Sequence, residues 1–426
     1  MITDNPDLTK AIRARFAHVE TCPEAGPRIF FENAGGALTL KSVVQTSKDY
    51  AAIPDNQGRD NEMAHGLVAT IDRAKADMRV LFNAPEGNIF VGESGTELLF
   101  RLIMNAVLGA GAGGAVLGST LEHPATRSAC TRWAKVAVKP YIQLPHNDQT
   151  GTVTAEDYAP YLTPDVRVAT ILHTSPVTGM SVDVAAIAAA IRAVAPEAYI
   201  IVDGIQHASH GQIDIAGYDI DGYVISPYKM FSRHGYGVAW ISERLTEVEH
   251  DALIGGPEGN WELGTRDTGA YATMSDVVAY LDWLGGQVCD ATDRRTRIEM
   301  AAQAIRAHEK RLTDAMIFGT GNLSGLSDLQ GVGIIGGPEN PAREGLVCLT
   351  VNGMDAPEFV TALRARGIRT HTRKADHYSG NILGPLGLTS AVRVSMCHYN
   401  TLDEVAAFLT AMREILDLQA EADAAQ

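Results

Sequence analysis

The stretch VDGIQHASHGQIDIAGYDIDGYVISPYK, Val202 to Lys229, holds the ends of two apolar, strand-like runs, each followed by polar groups that core packing does not require. Tyr199–Val202 closes on Asp203. Gly222–Ile225 closes on Ser226, and Lys229 follows three residues later. Lys229 is the only lysine between Lys139 and Lys310, in a segment rich in Ala, Gly and Val. Burial strips such an amine of hydration, lowers its pKa and frees it to form a Schiff base. An acid ending the preceding strand suits the pyridinium nitrogen of pyridoxal phosphate, whose ring withdraws electrons only while that nitrogen is protonated. Asp203 and Lys229 are 26 residues apart, about one strand-turn-strand unit.

Working outward, strand-like and helix-like segments alternate. Asn88–Val91, Ala115–Leu117 and Val166–Leu172 read as strands, and 98–108, 125–133 and 184–194 as helices. The alternation predicts an α/β fold with a mostly parallel sheet between helices. Ligands of such sheets bind beyond the carboxyl ends of the strands. Ser94-Gly95-Thr96, His123, Thr174-Ser175, Asp203, Gln206 and Ser226 all fall there. After about Gly286 the pattern changes to a charged helix, a mixed segment and two further helices. The expected organisation is an N-terminal arm (1–28) with Leu8, Ile12, Phe16 and Val19 at helical spacing, a large domain (29–285), and a smaller α+β domain (286–426).

Composition excludes several classes. The net charge is −16 and no Lys/Arg run offers a phosphate-backbone footprint, so no nucleic acid partner is expected. No apolar stretch reaches the length of a membrane span, and the opening residues lack a secretory pattern. The 5 cysteines are scattered, as in a reduced cytoplasmic protein. His173, His207, His210 and His377 lack helical i, i+4 pairing, so no metal site is expected.

Together these residues resemble the class V aminotransferases, a branch of the fold-type I pyridoxal phosphate enzymes that includes cysteine desulfurases and isopenicillin N epimerase-like proteins. The resemblance runs from about Phe30 to the final helix and is most specific in the Asp-x-x-Gln and Ser-x-x-Lys patterns of residues 203–229. It implies that Lys229 is the Schiff-base lysine, Asp203 the pyridinium partner and Gln206 a contact of the phenolic oxygen. It assigns the cofactor phosphate to Gly95 and Thr96, at the helix start in SGTE, with Ser226; free amides at a helix N-terminus bind phosphate. His123, in EHPAT, matches the histidine that stacks on the pyridine ring. Ser175 and Tyr228 fall among the cofactor contacts, and Thr265, in ELGTRD, matches a threonine that reaches the partner subunit's phosphate. A homodimer with the active site at its interface is therefore implied. Arg393, in VRVSMCHYNT, matches the fork for a substrate α-carboxylate, with Arg373 and Tyr378 nearby.

Three positions depart from the pattern. Tyr378, in RKADHYSG, stands where desulfurases carry their nucleophilic cysteine, which disfavours persulfide formation. Pro176 replaces an asparagine near the ring, and Tyr228 replaces the histidine before the lysine. The expected activity is an aminotransferase reaction on a small amino acid, with β-elimination or epimerisation as alternatives that use the same residues. A cofactor-binding protein without turnover is the weaker alternative, since Lys229 and Asp203 are both present.

Overall fold

The computed structural model describes residues 2–424. Its central sheet has seven strands: β1 (Asn88–Gly92), β2 (Ala115–Ser119), β3 (Tyr141–Leu144), β4 (Val166–Leu172), β5 (Tyr199–Asp203), β6 (Gly222–Ile225) and β7 (Gly237–Ile241). Their spatial order is β1-β7-β6-β5-β4-β2-β3. All ladders are parallel except those of β7, which runs antiparallel to both β1 and β6. The sheet is thus mostly parallel, as the alternation of elements predicts. Sequence reading passed over β3 and β7, because short apolar runs give no periodicity to separate them from buried turns.

Residues of β5 are buried on both faces, as in a sheet covered by helices on each side. The strand ends where Gly204 passes the Tyr223 ring, 2.2 Å from where a Cβ would lie, so a side chain has no room there. Helix starts follow local capping chemistry. Ser94 Oγ accepts the Glu97 amide and opens the helix Gly95–Gly109, and Asp183 and Asp293 cap Val184–Val194 and Arg294–Phe318 in the same way.

The second sheet comprises β8 (Val332–Ile334), β9 (Leu346–Val351), β10 (His371–Lys374) and β11 (Ser390–Ser395), in the order β8-β9-β11-β10 and antiparallel throughout. It shares a separate apolar core with the helices Ala356–Ala365 and Leu402–Ala424. Phe31 belongs to that core, and Ile29–Phe30 pairs in parallel with Ile368–Arg369. The helix Arg294–Phe318 joins the two cores: Ile298, Ala301 and Ile305 pack into the first, and Leu312, Met316 and Ile317 into the second.

The N-terminal helix Pro6–Arg15 buries Leu8 and Ile12, and Phe16 follows it into an aromatic cluster. Phe16 meets Phe231 edge-on at 5.5 Å, and Phe231 meets His398 at 5.0 Å. Phe231 has φ 66°, a left-handed conformation disfavoured for an aromatic residue. Packing on four sides holds it there, two residues after Lys229.

Candidate active site

Thr96, His123, Asp203, Gln206, Ser226, Tyr228 and Lys229 line one pocket with Leu172, Pro176 and Ile205. Its free space of about 370 Å³ suits a small cofactor. A larger groove, with about 1630 Å³ of free space, runs beside the N-terminal helix and contains none of these residues. The pocket lies where the sheet rule puts it: Asp203 ends β5, Ser226 follows β6, and Lys229 closes a single 3₁₀ turn begun by Pro227.

Lys229 is buried, and its Nζ donates to Gln206 Oε1 at 3.2 Å. Burial, aided by the Arg393 and Arg373 guanidiniums, lowers the amine pKa to about 7, with Asp203 opposing. Near neutral pH a large share of the amine is therefore unprotonated. Asp203 is also buried and accepts the Ile205 amide at 3.0 Å through Oδ1. Burial raises its carboxyl to about 6, against that hydrogen bond and the attraction of Lys229. An acid left this poorly neutralised suits a site that receives a cation.

The helix Gly95–Gly109 supplies the anion end. Ser94 takes the Glu97 amide through its side chain and the Leu98 amide through its carbonyl, leaving the Gly95 and Thr96 amides without an acceptor among the described residues. A Cβ on Gly95 would lie 2.3 Å from Ser226 Oγ and 2.6 Å from Ile205 Cδ1, so glycine lets the helix start sit against Ser226. These residues fit the phosphate of pyridoxal phosphate.

His123 Nδ1 accepts the Ala125 amide at 3.2 Å, and burial, with Lys229 and Arg373 nearby, lowers its pKa to about 3. The ring is neutral and free to lie against an aromatic cofactor. Arg393, on β11, is buried and donates to the Pro176 carbonyl at 3.0 Å, while its Nε has no partner. Burial brings its pKa down to about 9, which still leaves it charged at neutral pH. Arg373 lies on the adjoining strand β10, in register with Ala391, two residues from Arg393.

Ser175, Tyr378 and Thr265 do not line this pocket, and Tyr228 lines it from one side. The Ser175 hydroxyl accepts the Val177 and Thr178 amides at 3.3 and 3.1 Å, so it holds a turn and its neighbour Pro176 lines the pocket instead. Tyr378 is 48% exposed, with its ring 6.2 Å from that of His123. Tyr228 stacks on His234 at 4.3 Å. Thr265 is exposed, outside the pocket. No cysteine lines the pocket among the described residues.

Several buried polar groups behind the site escaped sequence reading. Glu122 accepts Thr170 Oγ1 at 2.8 Å, and burial raises its pKa to about 8. Glu344 gathers His207, Thr174 and Arg306 at 2.9, 2.9 and 2.7 Å. Their partners are remote in sequence, so no local spacing marks them.

The sequence model of the family described as Aminotransferase class-V matches residues 29–408. A cysteine desulfurase-like protein, ustD, of Aspergillus flavus is 26% identical over 92% of this chain and 88% of its own length. A probable cysteine desulfurase of Xylella fastidiosa is 25% identical over 97% of both chains. The crystal structure of the cysteine desulfurase CsdA of Escherichia coli superposes with a TM-score of 0.77 at 22% identity, covering 96% of this chain and 98% of that one. With Lys229, Asp203 and the helix-start anion site assembled in one pocket, the chain belongs to the class V aminotransferase family of fold-type I enzymes, which use pyridoxal 5'-phosphate.

Proposed function

We propose that this chain is an aminotransferase acting on a small amino acid. The observation that carries the reading is Lys229, a buried amine with pKa about 7, sharing a pocket with the buried carboxyl of Asp203. Bound pyridoxal phosphate supplies an electron sink for the negative charge that develops at Cα. Gly95, Thr96 and Ser226 hold its phosphate, Asp203 keeps its pyridinium nitrogen protonated, and His123 covers its ring. Arg393 binds the substrate α-carboxylate, its fork suited to two parallel hydrogen bonds. Lys229 takes the Cα proton and returns it, as its lowered pKa allows near neutrality.

A lyase reaction is the second reading. The relatives described as cysteine desulfurases favour it. Tyr378, in place of a thiol, argues against persulfide transfer but leaves β-elimination open. Epimerisation uses the same lysine. An amino acid panel with and without a keto acid acceptor separates these: acceptor-dependent turnover supports transamination, and ammonia with keto acid released without acceptor replaces it with a lyase.

The functional unit in this reading is a homodimer in the cytoplasm. Thr265 is exposed, as are Leu253 and Ile254 earlier on the same loop segment, at 67% and 108%, and a second subunit covering this segment accounts for apolar side chains left in water. The cysteines are all free, in keeping with a reducing compartment. No described helix is long and apolar enough to cross a membrane.

A further inference from the structure

A line of buried hydrogen bonds leads away from Lys229. Its Nζ meets Gln206 Oε1 at 3.2 Å, Gln206 Nε2 meets His210 Nε2 at 3.2 Å, and His210 Nδ1 meets Glu309 Oε2 at 2.7 Å. All four side chains are at most 9% exposed. Gln206 and His210 flank a single 3₁₀ turn, whereas Glu309 comes from the helix that joins the two cores. Gly345 clears room for it, since a Cβ there would lie 2.8 Å from Glu309 Oε2.

We propose that His210, held by Glu309, is a positioning residue that sets which end of the Gln206 amide faces Lys229, and that the amide turns over when His210 takes up a proton. The inference rests on the pyridoxal phosphate reading of Lys229. Glu309 accepts, so His210 Nδ1 donates. In the neutral ring Nε2 can only accept, which calls for the Gln206 NH₂ and leaves the carbonyl oxygen to the lysine N–H groups. In the charged ring Nε2 donates, so Gln206 must give it the carbonyl and turn its NH₂ toward the lysine. A cofactor bonded to Lys229 through its aldehyde carbon carries a phenolic oxygen on the adjacent ring carbon, beside the lysine nitrogen. A phenolate there needs a donor. Loading therefore favours the charged His210 and the turned amide.

The surroundings permit this charge. Burial opposes it, but Glu309 and Glu344 hold the His210 pKa above its ordinary value, against Lys229. The Cys397 thiol lies within 4.8 Å of a His210 ring nitrogen and a Glu309 carboxylate oxygen, and His398 follows it on the same segment. Arg306 pairs with Glu344 at 2.7 Å and offsets part of the local negative charge.

The test follows the absorbance of bound cofactor against pH in the loaded enzyme. Glu309→Gln keeps the shape but removes the charge that supports a protonated ring. The phenolate then loses its donor, becomes more basic and holds its shared proton more tightly. The midpoint should rise by about one to two pH units, the value of a hydrogen bond to a charged group. Glu309→Asp, which retains the charge, should stay close to wild type. A purely structural role would weaken folding or cofactor retention without moving the midpoint, so an unchanged or lowered midpoint in loaded Glu309→Gln overturns the proposal. Wild-type protein labelled with ¹⁵N-histidine gives an independent reading: one imidazole should pass from neutral to doubly protonated on loading, and its absence also overturns the proposal. A wild-type chain in which borohydride traps no cofactor on Lys229 would overturn the functional reading itself, and this inference with it.

Discussion

Arg393 donates from Nη1 to the carbonyl oxygen of Pro176 at 3.0 Å, tying the second sheet to the loop that follows β4. Pro176 is one of the positions that depart from the family pattern, yet its carbonyl orients the residue read as the carboxylate fork. The Nε of Arg393 is left without a partner, and no carboxylate pairs with this guanidinium among the described residues. A buried, unpaired cation is poised for an anionic substrate.

Replacing Arg393 with alanine should therefore raise KM for α-carboxylate amino acids. Charged hydrogen bonds contribute about 1.5–3 kcal/mol each, so kcat/KM should fall by about 10- to 100-fold or more. Steady-state kinetics on the best substrate of the panel check this, and an unchanged KM removes Arg393 from carboxylate binding.

Asp203→Asn separates stability from activity. The wild-type carboxyl titrates at about 6 in the cofactor-free fold and at 3.8 in the reference state. Its protonated form is favoured in the fold, so its contribution is fully present below about pH 4 and lost as pH rises through 6. Above that window the cofactor-free variant should be more stable than wild type by about 2–3 kcal/mol, with the difference vanishing in acid. Denaturant titrations at pH 4 and pH 8 measure it. Turnover of the loaded variant should drop by about 10²–10³-fold, the scale of losing one preorganised electrostatic group.

Gly95→Ala puts a methyl group against Ser226 Oγ and Ile205. The expected cost is about 1–3 kcal/mol of stability, as for overpacking of a close-packed site. Cofactor affinity should fall as well, because the helix start must withdraw from Ser226. Thermal melts and fluorescence titration with pyridoxal phosphate report the two effects, and normal affinity would detach Gly95 from the phosphate site.

Ile254→Asp tests the subunit interface. A charge in place of an apolar side chain buried between subunits should raise the dimer dissociation constant by about tenfold or more. Sedimentation at several concentrations measures it. A dimer of undiminished affinity would place the interface elsewhere.

The sequence by itself determined the α/β class and the placing of Asp203 and Lys229 at or just beyond strand ends, because both depend on short-range order. An apolar run long enough for a strand, with a polar group at its carboxyl end, carries its own location within the sheet. The start of the Gly95–Gly109 helix was equally local, since Ser94 caps it from the adjacent position. Only the tertiary structure decided that β7 runs antiparallel, that Ser175 holds a turn, and that Pro176 orients Arg393. It also brought Glu309 to His210, 99 residues away in the chain. Such partners meet because separate elements pack together and bury groups that must then be satisfied. That requirement appears on folding and leaves no periodicity in the chain.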